Sequence, residues 1–180
     1  RGLGDVYKRQ IHPWDVEKEL CMPNFKDCDI VGETGLDYLT KVDKECQKRR
    51  FIEHLRVAQE LDKPVVIHNV KATDDILHIL SQFPTIKGIV FHGYIGSKQQ
   101  AEILLKRGYY LSFGHRSLRS PKTREVIATM DIGRLFCETD DEPNISIAEI
   151  YTEVATLRNI TTKELHDEIE KNYNTLFDKD

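Results

Sequence analysis

Four apolar runs, each ending on an acid or an imidazole, constrain this chain more than any other feature. Asp29–Tyr38 (DIVGETGLDY) carries two β-branched residues toward Glu33, with Gly32 and Gly35 bracketing the acid where backbone must turn or approach a neighbour. Lys63–Asn69 (KPVVIHN) leads into His68, Gly88–Gly93 (GIVFHG) into His92, and Arg134–Asp141 (RLFCETDD) into Asp140. Segments of helical period separate the runs. This alternation predicts an α/β fold built on a parallel sheet, whose strands would all present their C-terminal ends, and with them Glu33, His68, His92 and Asp140, on one face.

The intervening segments carry their own start and stop signals. Val42–Leu61 spaces Cys46, Phe51, Leu55, Ala58 and Leu61 at helical intervals among charged residues, which predicts an amphipathic helix with His54 as an ordinary member. Thr73–Phe83 places Asp74 and Asp75 in a favourable first turn and is closed by Pro84. Ser97–Gln100 is a capping-box pattern for a helix that Gly108 terminates, and Thr161-x-x-Glu164 caps a last helix with Leu165, Ile169 and Tyr173 on one face. Ser120-Pro121 offers an N-cap followed by proline at the first helical position. Val16–Leu20 is expected as a short helix, Tyr109–Phe113 as a strand with His115 and Arg116 in the loop after it, and Ile147–Leu157 as a helix.

Composition narrows the function classes. A length of 180 residues can bury one sizeable core, and 39% apolar with 31% charged residues is a globular profile. The formal net charge of −4 argues against a generic electrostatic nucleic-acid binder, but not against phosphate substrates held through metal ions. No aromatic-and-basic stripe of the kind that stacks single strands stands out. Lys71, Arg116 and Arg119 are either phosphate contacts or solvated surface charges. The four cysteines (Cys21, Cys28, Cys46, Cys137) form no CxxC pair, which fits reduced thiols and a cytoplasmic location. No apolar run reaches membrane-spanning length, and no signal-peptide pattern is present.

Residues 1–10 (RGLGDVYKRQ) have no hydrophobic period, and codons for Asp5–Gln10 can be written so as to resemble a transposon-end adapter from sequencing libraries. The segment is expected to be non-native and outside the fold, leaving 11–180 as one partial domain.

Imidazole nitrogens and carboxylate oxygens suit Zn²⁺ and other first-row divalent ions, and one carboxylate can bridge two of them. A single histidine after a strand is an ordinary loop residue; four successive acids or imidazoles at strand ends are a pattern. Asp140 suits a metal ligand, a base for an attacking water, or both. Glu138, two residues earlier, would share its facing on a continued strand and reads as solvation or support. His12, held extended before Pro13, and His115 stay open between loop and site roles. The ligand set is incomplete, since neither H-x-H nor H-E-x-x-H occurs.

Taken together, IHPW at 11–14, GETGLDY at 32–38, KPVVIH at 63–68, FHGYIG at 91–96, LSFG at 111–114, ETD at 138–140 and NYNTLF at 172–177 resemble the TatD-related deoxyribonucleases, metal-dependent hydrolases with amidohydrolase-like barrels. The resemblance implies an incomplete (β/α)8 TIM barrel comprising roughly strands four to eight with their helices and lacking the first strands, at about 29–32, 64–68, 88–92, 109–113 and 134–139. It implies Glu33 as the bridging ligand, His68 and His92 on a second ion, and Asp140 on the first ion near the nucleophilic water, so that Asp140 and Glu33 are the catalytic pair. The cofactors implied are divalent ions (Mg²⁺, Mn²⁺ or Zn²⁺), two in an intact parent and at most one well held here, because the family's H-x-H is missing. The implied substrate is DNA, trimmed from 3′ ends, with no membrane or obligate protein partner. Departures are local: Asn69 and Val70 follow His68, Gly93–Ile95 follow His92, and ETDDEP adds the charges of Asp141 and Glu142.

Two alternatives remain open at this point. One is a hydrolase of a small-molecule ester or amide; no lysine stands at a predicted strand end, so the carbamylated-lysine bridge of some related barrels is not expected. The other is a non-catalytic fragment, in which the Asp29 strand would be an unpaired apolar edge prone to self-association.

Overall fold

The structure, a computed structural model, describes residues 7–18, 21–140 and 144–177. These divide after Val90 into two compact units. The fold is α/β, and its strands pair in parallel.

The first unit carries β1 (Lys8–Arg9), β2 (Ile30–Asp37), α1 (Lys44–Glu60), β3 (Val65–Val70) and α2 (Thr73–Leu80), and runs into β4 (Ile89–Phe91). β1 pairs with β2 through Lys8↔Ile30 and Arg9↔Val31, and β2 pairs with β3 from Val31↔Val65 to Asp37↔Val70. The β2–β3 register shifts between Val31 and Thr34: three steps along β2 face two along β3, from Val65 to Ile67. The extra residue is a bulge, and Gly32 and Glu33 are the residues inside it. Both bracketing glycines have positive φ, 131° at Gly32 and 141° at Gly35. A Cβ on Gly32 would stand 2.5 Å from the Val66 carbonyl oxygen, and one on Gly35 would overlap that of His68. Only glycine lets the two strands approach so closely there.

Burial explains why α1 packs where it does. Asp43 accepts the Cys46 N–H at 2.8 Å as N-cap, and Gln47, Phe51, His54, Leu55 and Ala58 form the buried face. Each fully buried Phe or Leu contributes roughly 1.5–3 kcal/mol of transfer free energy. Gln47 replaces the expected Cys46 on this face, because its amide serves β2: it accepts the Asp37 N–H and donates to the Asp37 carbonyl. Lys63 ends the α1–β3 connection with its ammonium on the carbonyls of Phe25, Lys26 and Cys28.

The second unit carries α3 (Lys98–Lys106), β5 (Tyr110–Phe113), α4 (His115–Leu118), α5 (Pro121–Thr129), β6 (Leu135–Cys137), α6 (Ile147–Arg158) and α7 (Thr162–Phe177). β5 pairs with β6 over Leu111↔Leu135 to Phe113↔Cys137. The Ser97/Gln100 capping box forms as the sequence predicts, Thr161 and Glu164 cap α7, and Pro121 opens α5. Asn172 ties α7 to the strand by donating to the Ile132 and Leu135 carbonyls at 2.8 and 2.9 Å.

Several expectations need correction. Lys8–Arg9 belong to the fold, because strand pairing uses backbone groups and is indifferent to a missing hydrophobic period. The Asp29 strand is therefore not an unpaired edge: β1 covers it, and Ile30, Val31 and Leu36 are fully buried. Pro13–Lys18 are turns rather than a helix, closed by Asp15 N–H to the His12 carbonyl and Lys18 N–H to the Asp15 carbonyl, both 2.9 Å. Glu19 and Leu20 of that expected helix lie outside the described residues, as do Asp141 and Glu142 and residues 1–6 of the adapter-like segment. His115 and Arg116 begin a single helical turn instead of a loop. Ser120 does not cap α5 with its side chain.

Candidate metal centre

Three ligating side chains meet in the first unit. One nitrogen or oxygen from each of His12, Glu33 and His68 lies within 4.8 Å of the others. β3 delivers His68 at its fourth residue, the bulge in β2 turns out Glu33, and the 11–14 turn brings in His12. All three are half-buried. Lys8 Nζ lies 3.0 Å from Glu33 Oε1, and Gln10 accepts the Glu33 N–H. A cationic partner already neutralises this carboxylate, as a metal ion would.

The two imidazoles face each other through His12 Nε2 and His68 Nδ1 at 3.3 Å. Their other nitrogens are committed. The Trp14 N–H donates to His12 Nδ1 at 3.3 Å, and His68 Nε2 is 3.2 Å from Asp37 Oδ2. Donor and acceptor roles close consistently if His68 is protonated on Nε2 and His12 on Nε2. The carboxylate thus holds the proton of His68 on one side of the ring and turns the Nδ1 lone pair toward His12.

Asp37 is built for this. It is only 4% exposed, its Oδ2 also accepts the Trp14 indole N–H at 2.8 Å, and its Oδ1 accepts the Leu39 N–H at 2.9 Å. Burial alone would push its carboxyl up; Trp14, the Leu39 amide and His68 outweigh that and hold it below the ordinary aspartate value.

The donor set fits a divalent ion. Tetrahedral ligands at about 2.0–2.1 Å from a metal stand about 3.3 Å apart, the separation of the two facing nitrogens. With its proton moved to Nδ1, which gives up the Trp14 N–H contact, His12 would offer an Nε2 lone pair beside that of His68 and the Glu33 carboxylate, a Zn²⁺-like or Mn²⁺-like set.

His92 and Asp140 lie in the second unit. His92 follows β4, and its Nδ1 is 3.5 Å from Glu138 Oε1, which also accepts the Gly93 N–H at 2.6 Å. Glu138 supports the histidine, one of the two roles its position suggested. Its expected shared facing with Asp140 does not hold: β6 stops at Cys137, and Asp140 has φ 51°, so strand alternation ends before it. His115 is engaged by Arg119, whose Nε donates to His115 Nε2 at 2.7 Å.

Sequence reasoning left His12 undecided and passed over Asp37 and Trp14. Their signal was present in the two motifs, IHPW and GLDY, but only the turn at 12–15 and the strand register put them together.

A parallel α/β fold with a histidine–carboxylate cluster drawn from β2, β3 and the 11–14 turn has the donor set of a metal-dependent protein. The family model for the TatD-related DNases matches residues 9–178, and the chain belongs to that family. It is 31% identical over 166 residues to the uncharacterized metal-dependent hydrolase YabD of Bacillus subtilis, covering 82% of this chain and 64% of the relative. It is 30% identical over 184 residues to YcfH of Escherichia coli K12, also an uncharacterized metal-dependent hydrolase, covering 93% of this chain and 69% of the relative. Among solved structures, the TatD homolog YjjV of Escherichia coli superposes with a TM-score of 0.84 at 27% identity, over 96% of this chain and 76% of that one. A TatD family hydrolase of Entamoeba histolytica shares the fold, with a TM-score of 0.80 at 19% identity, over 93% of this chain and 72% of that one. The chain thus spans about two thirds of the length of these curated relatives. No helix among the described residues is long and apolar enough to cross a membrane.

Proposed function

We propose that this chain is the larger part of a cytoplasmic, divalent-metal-dependent hydrolase that cleaves phosphodiester bonds in DNA, trimming 3′ ends. Its fold would be a (β/α)8 barrel. The observation that carries the reading is the His12–Glu33–His68 cluster with two facing imidazole nitrogens. Family membership supports the reaction class, and the family's name supports the substrate.

In this reading Glu33, His68, His92 and Asp140 are metal ligands, with His12 as a further donor beside His68. A bound divalent ion makes water nucleophilic near neutral pH and neutralises charge growing on a phosphoryl oxygen. The chain's own residues set the stage. Asp37 keeps the His68 proton on Nε2, Glu138 supports His92 at Nδ1, and Lys8 neutralises Glu33 until a cation replaces it. Asp140 would take the proton from the attacking water, as a carboxylate within hydrogen-bond reach can.

Metal content per chain, followed by cleavage of 3′-labelled DNA with Mg²⁺ or Mn²⁺, tests this on 1–180 and on a chain extended to the length of the relatives. The extended chain should hold two ions and cleave, and 1–180 at most one. Cleavage of carboxylic esters or amides but not DNA would instead establish a small-molecule hydrolase.

A further inference from the structure

We infer that Trp14 is a stacking platform for a nucleobase of the substrate, a role that rests on the phosphodiester reading above. Trp14 is the single tryptophan of the chain and is 54% exposed. Large apolar side chains left half in water are unremarkable when loose and isolated. This one is neither. Its indole N–H is fixed on the buried Asp37 carboxylate at 2.8 Å, and its backbone N–H is fixed on His12. Its ring centre stands 4.8 Å from that of His12 and 6.0 Å from that of His68, at interplanar angles of 81° and 78°. Among the described residues no ring lies parallel to the indole, so a parallel stacking partner is not supplied from within.

Position gives this exposed ring a purpose. The same Asp37 carboxylate that orients His68 orients Trp14 and, through its other oxygen, the Leu39 amide, whose side chain is 72% exposed. An aromatic surface is therefore locked in place one ring away from the imidazoles that face a phosphodiester in the proposed site. A nucleotide spans such a gap with its own sugar, phosphate toward the histidines and base over the indole. Stacking of this kind tolerates any base, since every base has a π-face, which suits an enzyme that works along DNA ends irrespective of sequence.

The lone tryptophan is its own reporter. A phosphorothioate single-stranded oligothymidylate, which resists cleavage, is titrated into 1–180 with Mg²⁺ while Trp14 fluorescence is recorded. An abasic deoxyribose-phosphate strand of the same length is the control, and both affinities are read by competition against a 3′-labelled oligonucleotide. The thymidylate should quench Trp14 and bind about 5- to 150-fold more tightly than the abasic strand, the range set by one stacked base. Trp14→Ala should abolish that difference, and Trp14→Phe, which keeps a ring without the donor to Asp37, should restore part of it; circular dichroism melts of both variants check that they are folded. Equal binding of the two strands with unchanged fluorescence would overturn the platform while leaving the phosphodiester reading standing. If neither strand binds, the reading falls and the platform with it.

Discussion

His68 and His54 are both histidines on regular elements of the first unit, and nearly everything about their surroundings differs. His54 is completely buried in α1, with Nε2 accepting the Ile11 N–H at 3.0 Å and Nδ1 against the Arg50 carbonyl at 2.7 Å. Both ring nitrogens are spent on backbone, and Phe25 packs against the ring at 5.4 Å. His68 stays half-buried, with one nitrogen against a carboxylate and the other facing a second imidazole. A histidine that satisfies backbone fixes structure; one that a carboxylate orients so that its lone pair faces a second imidazole is set up for a cation. His54 joins the two themes, because it anchors the residue immediately before His12.

The comparison can be broken hardest at Gly35, which lets β2 approach the His68 carbonyl. Gly35→Ala should destabilise the chain by about 3 kcal/mol or more, seen as a fall in Tm, because positive φ and steric overlap act together. Next comes pH. Burial pulls the His54 pKa down to about 4 from 6.5, against the smaller opposing effect of the Arg50 carbonyl. The folded state therefore binds fewer protons than the unfolded one between those values. Stability from this group is complete above pH 6.5 and is lost as pH falls toward 4, by about 3 kcal/mol in all. Denaturant melts across that window should show the slope, and His54→Gln should flatten it while leaving metal affinity unchanged.

Smaller effects sharpen the other half. Asp37→Asn should weaken Zn²⁺ binding about 10- to 100-fold, measured by competition with a chromophoric chelator, since the amide keeps the shape but not the charge facing His68. His68→Ala should remove the Zn²⁺ site yet cost less stability than His54→Ala, a reversal readable from paired melts and titrations. Lys8→Met should shift stability by less than about 1 kcal/mol and raise divalent-ion affinity a few-fold, because a partly exposed ammonium no longer competes for Glu33.

Much of this was legible in the residues. The four apolar runs and the Tyr109–Phe113 strand became β2 to β6, two of the written caps formed, and Glu33 and His68 came together because a parallel strand returned by a crossover helix lies beside its predecessor. What escaped was set by geometry without a residue signature. β1 pairs through backbone alone, so Lys8–Arg9 carried no pattern to find. His54 sits among Arg50, Glu53 and Arg56, and local spacing could not reveal that an N–H from 43 residues away would need it. Asp37 lies at the end of a strand in a motif where Glu33 drew attention, and its partners Trp14 and His68 come from 23 and 31 residues away. The left-handed turn at Asp140 belongs to a non-glycine residue, where sequence gives no warning.

The bulge between Val31 and Thr34 has a consequence for the phase of the strand. By absorbing one residue, it resets the alternation of β2 against β3: Ile30 and Val31 lie before the joint, paired with β1 and, at Val31, also with Val65, and Thr34 to Asp37 lie after it, paired with Ile67 to Val70. Beyond the joint Gly35 is aligned with His68, so that side cannot shift without moving the histidine's neighbour. Glu33 sits at the joint itself, released from the strand's alternation yet kept beside the histidine strand. The bulge works as an expansion joint, taking up a change of phase while the pairing on both sides persists.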